Sequence, residues 1–531
     1  MTSDLFLNRL RLFVVFVQRW SFKPQNVFLY SAITWGTLTV FITPPFQVPD
    51  EPNHFFRAYQ VAGGTLFPVT QHNQVGGFIP SSMIKTWKIF GDIASHPERK
   101  IKPENISKSL EIPLNPENKT FAFFPNTGQY LPFPYIPQFL AIITGKLFNA
   151  PPLILLYLGR LLNLFSWIIM VALAIRITPV FKWFFLMLAL TPMSVFQASS
   201  FSADALIYGT AFFYTAFIFK LAFDENRSPK KYDLGFLIIL LVFLILSKYV
   251  YFFLFFLCFL IPVKKAGNIR NYLLTALLLF VIAGIAVTIG GYFVKRIYES
   301  VDPAVNYFGN GPGIPTINPD LQVQYILTHV GSYIESILLT FWKNKFFIST
   351  FIGNLGWLDT PLPVLYILAA FITLILMALG DGNENVIISI KRKSVLLFSL
   401  CSVIFVICTL LYVSWTPVGG SVIDGFQGRY LIPVAPVAFA LLYNRQLKFP
   451  ERTKCIGSII FIVISFLVMN YSLISRYYLG AHGSLFPDVR FIFPRKKFPG
   501  KWFFYPFPQR RIIHLPDIRY IRKSNIKHLY V

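Results

Sequence analysis

LGFLIILLVFLILSKYVYFFLFFLCFLIP, residues 234–262, is an apolar run of 29 residues interrupted at its middle by Ser247 and Lys248. Arg227, Lys230 and Lys231 precede it, and Lys264, Lys265 and Arg270 follow. Basic flanks gather on one side of a membrane, so the run reads as a hairpin. Each leg has about fourteen residues, roughly 21 Å of helix, and stops short of the far surface. Lys248 then sits at the tip, in a cavity within the thickness of the bilayer.

Similar runs recur at about 26–43, 131–148, 153–175, 180–200, 204–223, 271–293, 361–379, 395–413, 430–444 and 455–474. With 55% hydrophobic residues, 13% charged and 58 Phe among 531 residues, the chain has the composition of an integral membrane protein. A soluble chain would break its apolar residues into amphipathic stripes, which these runs do not show. The run at 131–148 contains Pro132, Pro134 and Pro137 and keeps only about eleven residues before Lys146. That is too few to cross a bilayer, so it reads as a helix lying at the surface. The rest make an all-α polytopic protein with eleven spans.

The net charge of +25 does not point to nucleic acid, because Lys and Arg cluster between apolar runs. Arg176 with Lys182, the run Lys391-Arg392-Lys393, and Arg445 with Lys448, Arg452 and Lys454 mark cytoplasmic segments. Residues 1–25 are then cytoplasmic, and the first apolar run is an uncleaved signal anchor in the plasma membrane. The membrane domain covers 26–474, with two long outer segments. The first, 44–152, is polar and proline-rich with juxtamembrane helices; the second, 294–360, contains NYFGNGPGIPTINPD. The odd span count places the basic aromatic tail, 475–531, outside, against anionic headgroups. The four cysteines imply no disulfide scaffold.

Just past the first run stands TPPFQVPDEPNHFFRAYQV, residues 43–61. Pro49 and Pro52 restrain the backbone around Asp50 and Glu51, and helical character begins at Asn53. Two readings stand. In one, Asp50 or Asn53 caps a juxtamembrane helix. In the other, a carboxylate at the bilayer surface acts as general base toward a hydroxyl. Glu51 or His54 would orient it or help to hold a divalent metal such as Mg or Mn, although no HExxH or CxxC spacing supports a metal site.

Asp204, in SSFSADAL, either caps its helix or faces a watery cavity shared with Asp50. Lys248, and Arg429 in GFQGRYLIP, are outer-face cations with no acid nearby in sequence. They either snorkel to headgroups or clamp a phosphate, for which the planar Arg429 is well suited. Gly425 and Gly428 would permit close backbone approach. Arg57, Gln427, Tyr430 and Asp359 in GNLGWLDTPLP complete the substrate-binding candidates; Glu335 and Arg160 are fainter.

An amino-terminal span, a long outer loop opening on an acidic motif, a surface helix and about eleven spans together resemble the GT-C class of membrane glycosyltransferases. More narrowly, PPFQVPDEPNHFFRAYQVA, SADAL, LGWLDTPLP and GFQGRYLIP resemble the bacterial family called domain of unknown function 2142, over most of residues 26–475. The resemblance implies a GT-C-like bundle and a sugar carried on a polyprenyl phosphate, transferred at the outer face to an envelope glycan or glycolipid. It also implies that Asp50 is the base, that Asp204 contacts metal or acceptor, and that Lys248 and Arg429 hold the lipid phosphate. Two other classes would use the same charges: a transporter of lipid-linked saccharides, for which no paired halves are visible, and a non-catalytic scaffold of an envelope-polysaccharide complex.

Overall fold

The computed structural model of the chain describes residues 22–71, 74–224, 228–299, 317–343 and 346–479. All of them belong to the compact unit Met1–Leu485. The N-terminal segment up to residue 21, the Gly- and Pro-rich stretch through residue 316 and the tail from residue 480 lie outside the described residues.

The hairpin read at 234–262 is present, with unlike legs. Lys231–Ser247 is an α-helix of 17 residues, the chain extends at Lys248 (φ −160°, ψ 101°), and Tyr249–Leu260 returns as a 3-10 helix of 12 residues. The adjoining helix, Asp204–Phe223, locates both ends. Lys248 faces Asp204 at its start, while Lys265 donates to the carbonyls of Leu221 (2.9 Å) and Asp224 (2.6 Å) at its end. A 3-10 helix rises about 2.0 Å per residue against 1.5 Å in an α-helix, so twelve residues return as far as seventeen advance. Its side chains eclipse every third residue. Phe253, Phe256 and Phe259 use that spacing, with successive rings 5.9 and 6.2 Å apart and nearly parallel.

The fold is mostly helical. Among the described residues, five helices are long and apolar enough to cross a membrane: Pro152–Ile177, Asp204–Phe223, Ile269–Lys295, Ile390–Trp415 and Glu451–Tyr477. Asp204–Phe223 carries no charge between Asp204 and Lys220 and is buried along its length apart from Lys220, so it forms the centre of the bundle. The run at 131–148 forms a 12-residue helix, Ile136–Leu147, exposing Ile136, Leu140, Ile143 and Leu147.

Two expected spans are not continuous helices. The run at 180–200 forms Lys182–Ala189 and Pro192–Ala198, parted where Pro192 offers no N–H; the hydroxyls of Thr191 and Ser194 take up the carbonyl of Leu188 instead. The run at 430–444 becomes the 3-10 turn Gly428–Val434 and the short helix Ala435–Ala440, with Pro433 and Pro436 inside the stretch.

The all-α expectation is corrected in the segment 44–152. There β1 (Val69–Gln71), β2 (Gln74–Pro80) and β3 (Lys119–Phe123) form an antiparallel sheet in the order β1-β2-β3, with Gly76 opposite Phe123 and Pro80 opposite Lys119. Gln60, on the helix Glu51–Ala62, ties that sheet to the acidic motif by donating to the carbonyls of Phe67 and Gly76. The segment 294–360 is also largely helical where described, with Pro319–Thr328, Val330–Lys343 and Phe346–Ile352. The last helix latches onto the first segment: Arg476 donates to the carbonyls of Ile93 (2.8 Å) and Arg99 (3.1 Å), and Lys100 to those of Ser475 and Arg476.

Candidate functional site

Asp50 immediately precedes the helix Glu51–Ala62, in left-handed backbone (φ 65°), a conformation aspartate adopts more readily than most residues. Its side chain makes no capping bond to that helix. The carboxylate instead accepts from Asn126 Nδ2 at 2.6 Å, and Asn126 in turn accepts from Asn53 Nδ2 at 2.6 Å. Its other oxygen, Oδ2, faces Arg429 Nη2 at 3.7 Å. Asp204 likewise makes no cap; its Oδ1 faces Lys248 Nζ at 3.6 Å. Lys248 and Arg429 thus meet the two candidate acids in space.

These four groups come from four segments, each with its own reason for being there. The break after Ser247 frees Lys248 to turn toward Asp204, and the rings of Tyr430 and Tyr130 lie 5.0 and 6.0 Å from its ammonium. Arg429 sits on the turn Gly428–Val434, whose backbone is pinned from two sides. Tyr208 donates to the carbonyl of Arg429 (3.1 Å) and Tyr251 to that of Tyr430 (3.2 Å). Gly428 fits against Phe346–Ile352 so closely that a Cβ would collide with the Phe347 carbonyl, and its N–H donates to Thr350 Oγ1. The close approach expected of Gly428 is therefore to protein backbone, while Gly425 supplies a left-handed turn (φ 77°).

Arg429 is buried, yet among the described residues its guanidinium makes no hydrogen bond, and Nε has no partner at all. A buried cation held only by a loose ion pair is incompletely satisfied. Asp50 keeps 31% of its side-chain exposure, so the recess is open on its side. Burial pushes the Asp50 carboxyl above the ordinary aspartate value of 3.8; Arg429 and Asn126 work against that rise and Asp204 adds to it. His54 Nδ1 lies 2.7 Å from the Tyr135 hydroxyl, and burial lowers its pKa to about 3, leaving the imidazole neutral.

Other candidates stand apart. Glu51 is fully buried, receives two hydrogen bonds from Arg160 (2.8 and 2.6 Å) and one from the Phe201 N–H (2.8 Å). That saturates it as a structural anion and makes Arg160 its partner. Arg57 donates to Gln60 and to the carbonyls of Leu66 and Tyr130, and so shapes the loop beside the recess. Asp359 is bound by Arg476 at 2.7 and 3.1 Å. Gln427 has a buried, unpartnered Oε1, and Glu335 is exposed.

Sequence reasoning missed Asn126, Tyr130, Tyr135, Tyr208 and Tyr251. Tyr208 stands four residues after Asp204 on one helix, and Tyr251 three after Lys248, spacings that put side chains on a common face. Among the described residues no three His, Cys, Asp or Glu side chains gather as metal ligands. Asp50 and Asp204 already face cations and His54 is taken by Tyr135, so this donor set does not fit a divalent ion.

No curated protein and no solved structure matches the chain. The family model described as predicted membrane protein (DUF2142) matches residues 33–438, a stretch that holds Asp50, Asp204, Lys248 and Arg429. The chain belongs to that family.

Proposed function

We propose that the protein is a membrane glycosyltransferase with a GT-C-like bundle. It transfers a sugar from a polyprenyl-phosphate donor to an envelope glycan or glycolipid acceptor at the extracytoplasmic face of the plasma membrane, with its N-terminus in the cytoplasm. The observation that carries this reading is the meeting of Asp50 and Asp204 with Lys248 and Arg429 in one recess, at separations of 3.6 Å for Lys248 and Asp204 and 3.7 Å for Arg429 and Asp50. Asp50 takes the proton of the acceptor hydroxyl as that oxygen bonds to the anomeric carbon. The bond between that carbon and the phosphate oxygen breaks, and the phosphate leaves with the electron pair, its charge met by Lys248 and Arg429. Asp204 holds Lys248 in place, Tyr430 flanks both cations, and His54, as a neutral imidazole, and Gln427 offer hydrogen bonds to hydroxyls.

The test compares envelope glycans and lipid-linked sugars by mass spectrometry in cells carrying the wild-type protein, Asp50→Asn or no protein. One sugar lost in both of the latter, with its lipid donor accumulating, is the expected result. A glycan profile in Asp50→Asn matching wild type would remove Asp50 from the chemistry and favour a scaffold or a transporter.

A further inference from the structure

The outer part of the molecule contains two kinds of ion pair. Arg160 with Glu51 and Arg476 with Asp359 are hydrogen-bonded, with closest approaches of 2.6 and 2.7 Å. Lys248 with Asp204 and Arg429 with Asp50 stand at 3.6 and 3.7 Å, beyond good hydrogen-bond length. The tight pairs need nothing more. The loose pairs leave donor capacity on both cations, including the unpartnered Nε of buried Arg429. Two acids and two bases sum to zero charge, so an anion entering the recess cannot simply add to it. It must compete with the carboxylates for the same cations.

We propose that the donor phosphate exchanges with the carboxylates: it takes Arg429 and Lys248, and by doing so releases Asp50 to act as base, so that donor binding precedes and arms deprotonation of the acceptor. This rests on the site being the phosphate centre of a transferase. The exchange makes one event of two requirements, because the base gains strength only when a leaving group is in place. A carboxylate that loses its counter-charge holds a proton more tightly, so proton uptake on binding marks the exchange at the acid end of the range, whereas at neutral pH Asp50 stays unprotonated and able to take the acceptor's proton.

Arg429, Lys248, Asp204, His54, Tyr130, Tyr135, Tyr208, Tyr251 and Tyr430 are the charged or titratable groups that act on the recess. Burial keeps His54 neutral and Tyr130 and Tyr135 protonated, and a tyrosine hydroxyl ordinarily ionises only at about pH 10. The carboxylates are left as the groups that can respond between about pH 5.5 and 8.

Methyl farnesyl phosphate is a suitable probe, because a phosphodiester carries one charge throughout that range. Its binding to the full-length protein in detergent is measured by calorimetry across pH and in two buffers of different ionisation heat. In wild type, affinity should be level near neutral pH and strengthen several-fold as pH falls toward the acid end of the range, with a buffer-dependent heat over the same interval. Asp50→Asn should bind with that dependence reduced, and Asp204→Asn should keep the share that Asp50 carries. Binding that is independent of pH and buffer, or a dependence unchanged in Asp50→Asn, would overturn the exchange and leave the phosphate site standing. Absence of binding in wild type would overturn both.

Discussion

At the residue scale, two neighbouring carboxylates have opposite fates. Glu51 is buried under three hydrogen bonds, whereas Asp50 is turned by its left-handed backbone toward an open recess. Glu51→Gln leaves Arg160 buried without its counter-charge and should cost about 3–5 kcal/mol, seen as a lower melting temperature in detergent. Asp50→Asn should melt near wild type and lower transfer by about 10²–10⁴-fold. Because a raised carboxyl pKa means that Asp50 is protonated at a higher pH than an ordinary aspartate, transfer should fall on acidification with a midpoint above 3.8. A pH–rate profile checks the sign: a curve flat down to pH 4 would exclude Asp50 as base.

At the element scale, the turn Gly428–Val434 is held by side-chain hydrogen bonds to its backbone and by the close fit of Gly428. Gly428→Ala would drive a methyl group into the backbone of Phe346–Ile352 and displace Arg429. The variant should lose affinity for a polyprenyl phosphate by at least about tenfold while Gly457→Ala, where no atom crowds the added Cβ, should bind as wild type. Ligand titration of the two purified variants decides this.

The same scale shows what was legible. The hairpin was, because charge at both ends of a long apolar run is a local signal that topology must obey. Asp50, Asp204, Lys248 and Arg429 were legible as isolated charges where charge is costly. Their pairing was not, since they are drawn together across as many as 379 positions of chain by the packing of several helices. The sheet in the first outer segment escaped because the short strands lie among prolines and glycines, which read locally as loop. The breaks at Pro192 and Pro433 were visible as residues, yet an apolar run alone does not say whether a helix continues through it.

At the scale of the whole molecule, the proposed topology places the recess and the basic helix ends on opposite faces of the membrane. Glu98, exposed in the first outer segment, and Glu384, exposed beside Lys448, are reporters for the two sides. A cysteine at position 98 should react with an impermeant maleimide in intact cells, and one at 384 only after lysis. The reverse pattern would put the recess in the cytoplasm and remove any outer-face reaction.

The latch between Arg476 and the backbone of Ile93 and Arg99 carries a consequence for how the protein is made. Translation emits residues 93–99 and must run on for more than 370 further codons before their fastener leaves the ribosome. Throughout that interval the carbonyl of Arg99 waits for its partner. A chain truncated before residue 451 carries every charge of the recess but lacks its clasp, and membrane quality control should clear it as an unfinished product.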